Sequence, residues 1–460
     1  MVEAHANSVE DRLIDGLSFK LSPGASYVQE RKSVTFHATG SNAYQAKGGV
    51  KLIKLLVSGD SWMDPSTCRV MFDLRNLASS AADALVKKTL RPLGGPWSFF
   101  RRMRVLAGGQ VVEDIDNYNR CHQLFSILTA KDSRDNDAVE GFGKRWDHIN
   151  DLDADTVYNE HNFSGIREGQ AQTVLFKPLS GLLNQPKYLP IRYCPITIEL
   201  ELVTNETDPI VGHAGAFTDE NTSTNWQIEN VQLKCDMCTL DNALDNSYAE
   251  HLLSGKALPI NYNTYVSQLQ STLSGPNTGQ KSLRLNVTRA LSRLKSVFVT
   301  LISPGPTTDA DRAYVGRKDW NNFYSPMHGL NMGLVNQFNS DGEFEAQLQL
   351  GSKLFPEYPI RSHSEAYYQL RKTMGIQSSS LHNFDIDSHD YRTWKFVWAT
   401  DMEKVLEAGF TGANTRAGDI LNVSFTHRDP ETSHYAVGVH IILSSDNILE
   451  IKDSGCSVYD

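Results

Sequence analysis

Three places in this 460-residue sequence carry residue types at a spacing that could do chemistry. Asp151-Leu152-Asp153-Ala154-Asp155 sets carboxylates at alternate positions, as the opening of a calcium-binding loop does. The sixth position is Thr156, where the sharp turn needs Gly, and the twelfth is Asn162 in place of a bidentate Glu. The stretch therefore reads as a solvated acidic loop. Cys235-Asp236-Met237-Cys238 has the spacing of half a zinc site, but no second C-x2-C or H-x3-H pair supplies the other ligands. On a strand, two residues three apart also point to opposite faces. Arg101, Arg102 and Arg104 form the densest basic cluster and could touch phosphate; on the outer parity of a strand they would instead be a solvated or subunit-facing edge.

The motifs that mark common enzymes are absent. The 14 histidines form neither H-x-H nor H-E-x-x-H, and there is no G-x-S-x-G elbow, phosphate-binding Gly-rich loop or dinucleotide fingerprint. No residue is nominated as catalytic, as a metal ligand or as a cofactor contact. The net charge is −10, from 44 Lys plus Arg against 54 Asp plus Glu, which disfavours a protein whose main task is wrapping nucleic acid. No stretch approaches the roughly 18 apolar residues of a membrane span. The first thirty residues hold no apolar run of the signal-peptide kind. Six cysteines are too sparse for a disulfide framework, and a reducing intracellular site of synthesis fits them best. Five Asn-x-Ser/Thr sequons, at Asn162, Asn205, Asn221, Asn286 and Asn422, would matter only in a secreted chain.

The elements that must position any site are strands. Ile196–Leu202 and Leu421–Thr426 alternate apolar and polar residues, the signature of a strand with one face on a core and one in water. Met103 and Val105 alternate with Arg102 and Arg104, and Gly108-Gly109 turns the chain into Val111-Val112, predicting a hairpin. Short helices are predicted at Asp241–Leu253, at Ser364–Met374 and near Asn117–Leu128. A long-period echo runs through the chain. Thr173–Phe176 leads through a compact segment, Pro178 to Gln185, into the strand at 196–202. Lys395–Trp398 leads through a compact helical insert, Asp401 to Gly412, into the strand at 420–426. Each copy follows a short helix, which suggests duplication.

The expected architecture is all-β: an N-terminal arm at 1–25, a first sandwich at 26–204, a polar linker at 205–225, and a second sandwich at 226–460 opening near Trp226. Val9–Leu17 is weakly amphipathic and could be an arm docking on a neighbour or simply a frayed end. Long loops are expected at Ala130–Gln170 and Ser303–Ser340.

Three blocks carry a family resemblance: Gly95–Ile115 (beginning Gly95-Pro96-Trp97-Ser98-Phe99-Phe100), Phe176–Pro190 and Asn447–Asp453. In them the chain resembles the double jelly-roll major capsid proteins of eukaryotic DNA viruses, especially small polinton-like viruses. The resemblance implies two eight-stranded antiparallel jelly rolls in tandem. It also implies a homotrimeric, pseudo-hexameric capsomer tiling an icosahedral virion, made in the host cytoplasm or nucleus. Penton and minor capsid proteins would be the further partners, with no sequence-specific nucleic acid and no transmembrane segment. It transfers no catalytic residue. Two other classes stay open on the residues alone: a carbohydrate-binding or carbohydrate-active double β-sandwich, and a nucleic-acid-binding shell protein.

Overall fold

The computed structural model describes residues 27–79, 88–143, 165–210, 222–271, 281–303, 320–326, 344–375, 384–405, 409–416, 419–428 and 436–460. The first half contributes β1 (Val28–Thr39), β2 (Ala43–Tyr44), β3 (Leu52–Val57), β4 (Trp62–Asn76), β5 (Phe100–Ala107), β6 (Gln110–Asp116), β7 (Ala171–Phe176), β8 (Leu189–Pro190), β9 (Ile196–Leu202) and β10 (Trp226–Leu240). The second half contributes β11 (Leu258–Ser271), β12 (Ser282–Val287), β13 (Leu294–Ile302), β14 (Phe344–Leu350), β15 (Lys353–Ile360), β16 (Trp398–Asp401), β17 (Leu421–His427), β18 (Gly438–Lys452) and β19 (Gly455–Tyr459). Among the described residues five short α-helices punctuate them: α1 (Tyr118–Ile127), α2 (Lys131–Glu140), α3 (Asn242–Leu253), α4 (His363–Thr373) and α5 (Ser388–Thr393).

Pairing is antiparallel throughout the named strands, and its order is the same in both halves. In the first, β6-β5-β9-β3 forms one layer and β1-β10-β4-β7 the other, with β1 also touching β3 at Ala38↔Leu55 and Thr39↔Lys54. In the second, β15-β14-β17-β12 and β11-β18-β13-β16 are the corresponding layers. Counting the eight principal strands of each half in chain order, the two layers read 5-4-7-2 and 1-8-3-6 in both, so each half is a jelly roll. The echo in the sequence has the same origin. Thr173–Phe176 and Ile196–Leu202 lie in the sixth and seventh strands of the first roll, β7 and β9. The second copy reaches β16 and β17, which hold the same places in the second roll. The helix before each copy is also matched, since α1 follows β6 and α4 follows β15. The described parts of both connecting segments are turns and irregular chain, so the helical insert expected after Asp401 is not a helix there.

Inward parities fill the cores. In β9 and β17 every second residue is buried, and Phe72 of β4 meets Phe100 of β5 edge-on at 5.7 Å between ring centroids, tying the two layers of the first roll. Phe344 of β14 stacks on Phe425 of β17 at 5.3 Å in the second. The predicted hairpin is β5–β6. Gly108 and Gly109 both take positive φ, 56° and 85°, as a tight two-residue turn requires. The helix ends follow their caps: the Asp241 side chain accepts from Ala243 N, and that of Ser362 from Glu365 N.

Two further expectations are corrected. Trp226–Leu240 does not open the second roll; as β10 it lies between β1 and β4, and without it both would present bare edges in the middle of their layer. The polar stretch 205–225 thus precedes the last strand of the first roll, and the chain crosses to the second roll through α3. The loop expected across Ala130–Gln170 contains a helix, Lys131–Glu140. The Val9–Leu17 arm, most of Ser303–Ser340 and the acidic stretch Asp151–Asp155 lie outside the described residues.

Candidate functional site

The feature that most distinguishes this chain from two independent sandwiches is the seam between them. Helix α1, which belongs to the first roll, lies on the outer face of the β11-β18-β13-β16 layer of the second. Its Phe125 packs on Tyr265 at 4.4 Å and edge-on to Phe298 at 5.2 Å. One turn earlier Arg120, 3% exposed, enters the second roll. Its guanidinium donates to His440 Nδ1 (3.2 Å), Thr300 Oγ1 (2.9 Å), Leu301 O (3.1 Å) and Asn322 O (3.0 Å), and lies 4.8 Å from the centre of the Phe323 ring. The far nitrogen of His440 is 2.6 Å from Ser267 Oγ. Burial, reinforced by the Arg120 charge, holds the His440 imidazole neutral and its pKa well below the usual value. This docking also explains why β13 and the first ten residues of β18 are buried on nearly every position instead of alternating: one face meets its own core and the other meets α1.

A second contact joins β6 to β11. Glu113 is 2% exposed, and its carboxylate accepts from Gly181 N (2.8 Å), Leu182 N (3.4 Å) and the Ser180 hydroxyl. Burial raises its pKa while these donors pull the other way. The segment so anchored presses on the second roll. A Cβ on Gly181 would lie 1.6 Å from Asn263 O, so only glycine fits there. Lys187 Nζ donates to Pro259 O at 2.9 Å, and Tyr262 Oη to Val112 O at 3.2 Å. The part of the Phe176–Pro190 block that follows β7 is therefore a pad between the rolls. Further along, buried Arg134 of α2 pairs with Asp385, and Trp320 Nε1 donates to Asp208 O at 2.8 Å.

The outer faces of corresponding layers differ in chemistry. On the first roll the outward residues of β3, β9, β5 and β6 register as Lys54, Glu199, Arg104 and Asp114, a row of alternating charge. Its contacts are Lys54–Glu199 at 2.8 Å, Arg104–Glu199 at 3.7 Å and Arg104–Asp114 at 3.6 Å, with Arg102–Asp114 at 2.7 Å beside them. Arg101 reaches Asp116 at 3.9 Å. The basic cluster of the sequence is thus matched by acidic neighbours across the sheet. On the second roll the equivalent rows are Arg284–Ser424–Gln347 and Asn286–Asn422–Gln349, nearly free of charge.

Cys235 faces the first core beside Cys68, whereas Cys238 faces the other way toward Arg31 and Tyr188. Among the described residues no group of three or more His, Cys, Asp or Glu converges as metal ligands would. A cleft of about 440 Å³ at the seam brings together Asp401, Glu403, Phe125 and Tyr265. Its acids are already engaged, Glu403 with Lys295 at 3.4 Å and Asp401 with Glu403 N at 2.9 Å, and its rings pack on one another. Sequence reasoning passed over Arg120 and Glu113 because a lone charge at the edge of a helix or strand carries no pattern.

No protein-family model matches the chain, and no curated protein matches it by sequence. Solved structures do. The PBCV-1 virus capsid aligns over 96% of this chain and 99% of its own, at 14% identity and a TM-score of 0.60. The Sputnik virophage structure aligns over 96% and 90%, at 10% identity and 0.59, and the Faustovirus major capsid protein over 95% and 92%, at 9% and 0.55. Strand order, layer pairing and near-complete mutual coverage together establish that this chain has the double jelly-roll fold of the DNA-virus and virophage major capsid proteins.

Proposed function

We propose that this chain is a viral major capsid protein, a structural and not an enzymatic component of a virion. Three chains of two rolls each would close into a pseudo-hexameric capsomer, and capsomers, with penton and minor capsid proteins, into an icosahedral shell. The observation that carries this reading is the end-to-end likeness to capsid structures, which spans both rolls. Two physical features support it. The seam is built of buried, hydrogen-bonded groups, so the two rolls present their outer surfaces as one rigid block, as a repeating tile needs. Strand β15 is the outermost of its layer and leaves Tyr358 80% and Leu354 42% exposed, an edge suited to cover by another copy. Among the described residues no helix is long and apolar enough to cross a membrane.

Native mass spectrometry of the purified full chain tests the proposal. A trimer that persists on dilution is expected, because obligate interfaces of this kind commonly bury more than about 2,000 Å². A monomer that stays monomeric at high concentration would overturn it.

A further inference from the structure

The seam holds one pair of thiols on which the shell reading does not draw. Cys194, 1% exposed, lies in the turn after β8, its N–H donating to Pro190 O at 3.0 Å. Cys456 lies in β19, opposite Ile451 of β18, and is partly exposed. The first belongs to one roll and the second to the other, yet their sulfurs are 3.0 Å apart. The β5–β6 turn closes over them: a Cβ on Gly108 would lie 2.9 Å from Cys456 Sγ. Three elements that are separately fixed therefore hold two thiols at near-bonding distance, and one of the two is reachable from solvent.

We propose that Cys194 and Cys456 are the site of a disulfide that forms on oxidation and fastens the C-terminal strand of the second roll to the first. With oxidised glutathione as the oxidant, the Cys456 thiolate attacks one glutathione sulfur and releases the other half as a thiolate. Cys194 then attacks the Cys456 sulfur and expels the second half. The two thiol protons end on the two departing glutathione molecules, so the chain loses two hydrogens and one glutathione disulfide is reduced to two thiols. The order of attack follows from the environment. Cys456 is partly exposed and Cys194 is buried, so Cys456 meets the oxidant first and Cys194 resolves the mixed disulfide from within. The bridge would close a span of 262 residues, and constraining so long a loop in the unfolded chain stabilises the folded one. The inference rests on the geometry of the seam and stands whether or not the chain builds a shell.

The test is peptide mapping of the full chain after incubation with oxidised glutathione, with free thiols blocked under denaturing conditions and digestion without reduction. The expected result is a mass loss of two hydrogens, one linked peptide pair joining Cys194 to Cys456, and four blocked cysteines where the reduced chain has six. Reductant should then lower the thermal midpoint of the oxidised chain, and this sensitivity should vanish in Cys194→Ser and Cys456→Ser. Six blocked cysteines after oxidation would overturn the proposal. So would a link between Cys68 and Cys235 or between two chains in its place, or a glutathione adduct on Cys456 that Cys194 never displaces. The mapping is read on the natural chain, so it does not depend on either variant folding.

Discussion

Arg104 and Arg120 sit sixteen positions apart in the sequence and do opposite kinds of work. Arg104 lies on the outer face of the first roll with its side chain 38% exposed, in a row where each charge has a neighbour of opposite sign. Arg120 is buried in the second roll, spread over a histidine, a hydroxyl and two carbonyls that have no access to water. Surface pairs trade water for a partner at little net gain, whereas a buried cation that satisfies several polar groups strands all of them when it is removed. The visible basic cluster is therefore expected to matter little to stability, and the single inconspicuous arginine a great deal.

The comparison can be broken most directly at Arg120. Arg120→Ala should cost about 3–5 kcal/mol, the range for breaking a buried charged network. It should also loosen the rolls from each other, read as a lower denaturant midpoint and faster hydrogen exchange in α1 and β18. Glu113→Ala comes next at about 2–3 kcal/mol, because Gly181 and Leu182 would lose a charged acceptor in a buried site. If either variant matched the natural chain in stability, the seam would not be what joins the rolls.

Acidification should sharpen the same point. In the unfolded chain histidine takes up a proton near pH 6.5, but burial holds His440 well below that and pushes His122 down to about 4. The folded state thus binds fewer protons across this window. Its stability is full above about pH 6.5 and is lost as the pH falls toward about 4. Glu113, raised by burial, contributes with the opposite sign. His440→Asn isolates the histidine: its stability should fall less steeply between pH 7 and 5 than that of the natural chain. An equal slope would remove His440 from the account. The smallest effect is expected on the outer row, where Arg104→Ala should cost under about 1 kcal/mol and progressively less as salt is added.

What could be read from the sequence was what local physics writes into it. The alternation of Ile196–Leu202 and Leu421–His427 fixes which face is buried, Gly108-Gly109 fixes the hairpin turn, and Asp241 caps its own helix. Each signal sits within a few residues of the feature it specifies. The affiliation of Trp226–Leu240 does not: its alternation says strand, but nothing within it says that its neighbours are β1 and β4 and not the strands that follow. Helix α2 escaped because Lys131–Glu140 buries only Arg134 and so shows no apolar stripe. The roles of Arg120, Glu113 and Gly181 were hidden for a different reason: their partners lie 67 or more residues away. The difference between the two outer faces, charged on the first roll and amide-rich on the second, emerged only once register was known. The two rolls therefore share one topology and differ in the chemistry of the surface they present.

The claim that both rolls together form the repeating tile of a shell is tested most directly by electron microscopy of the expressed full chain. Three-fold, trefoil-shaped particles, or closed shells built from them, are the predicted result. A field of dispersed two-lobed monomers at high protein concentration would contradict it.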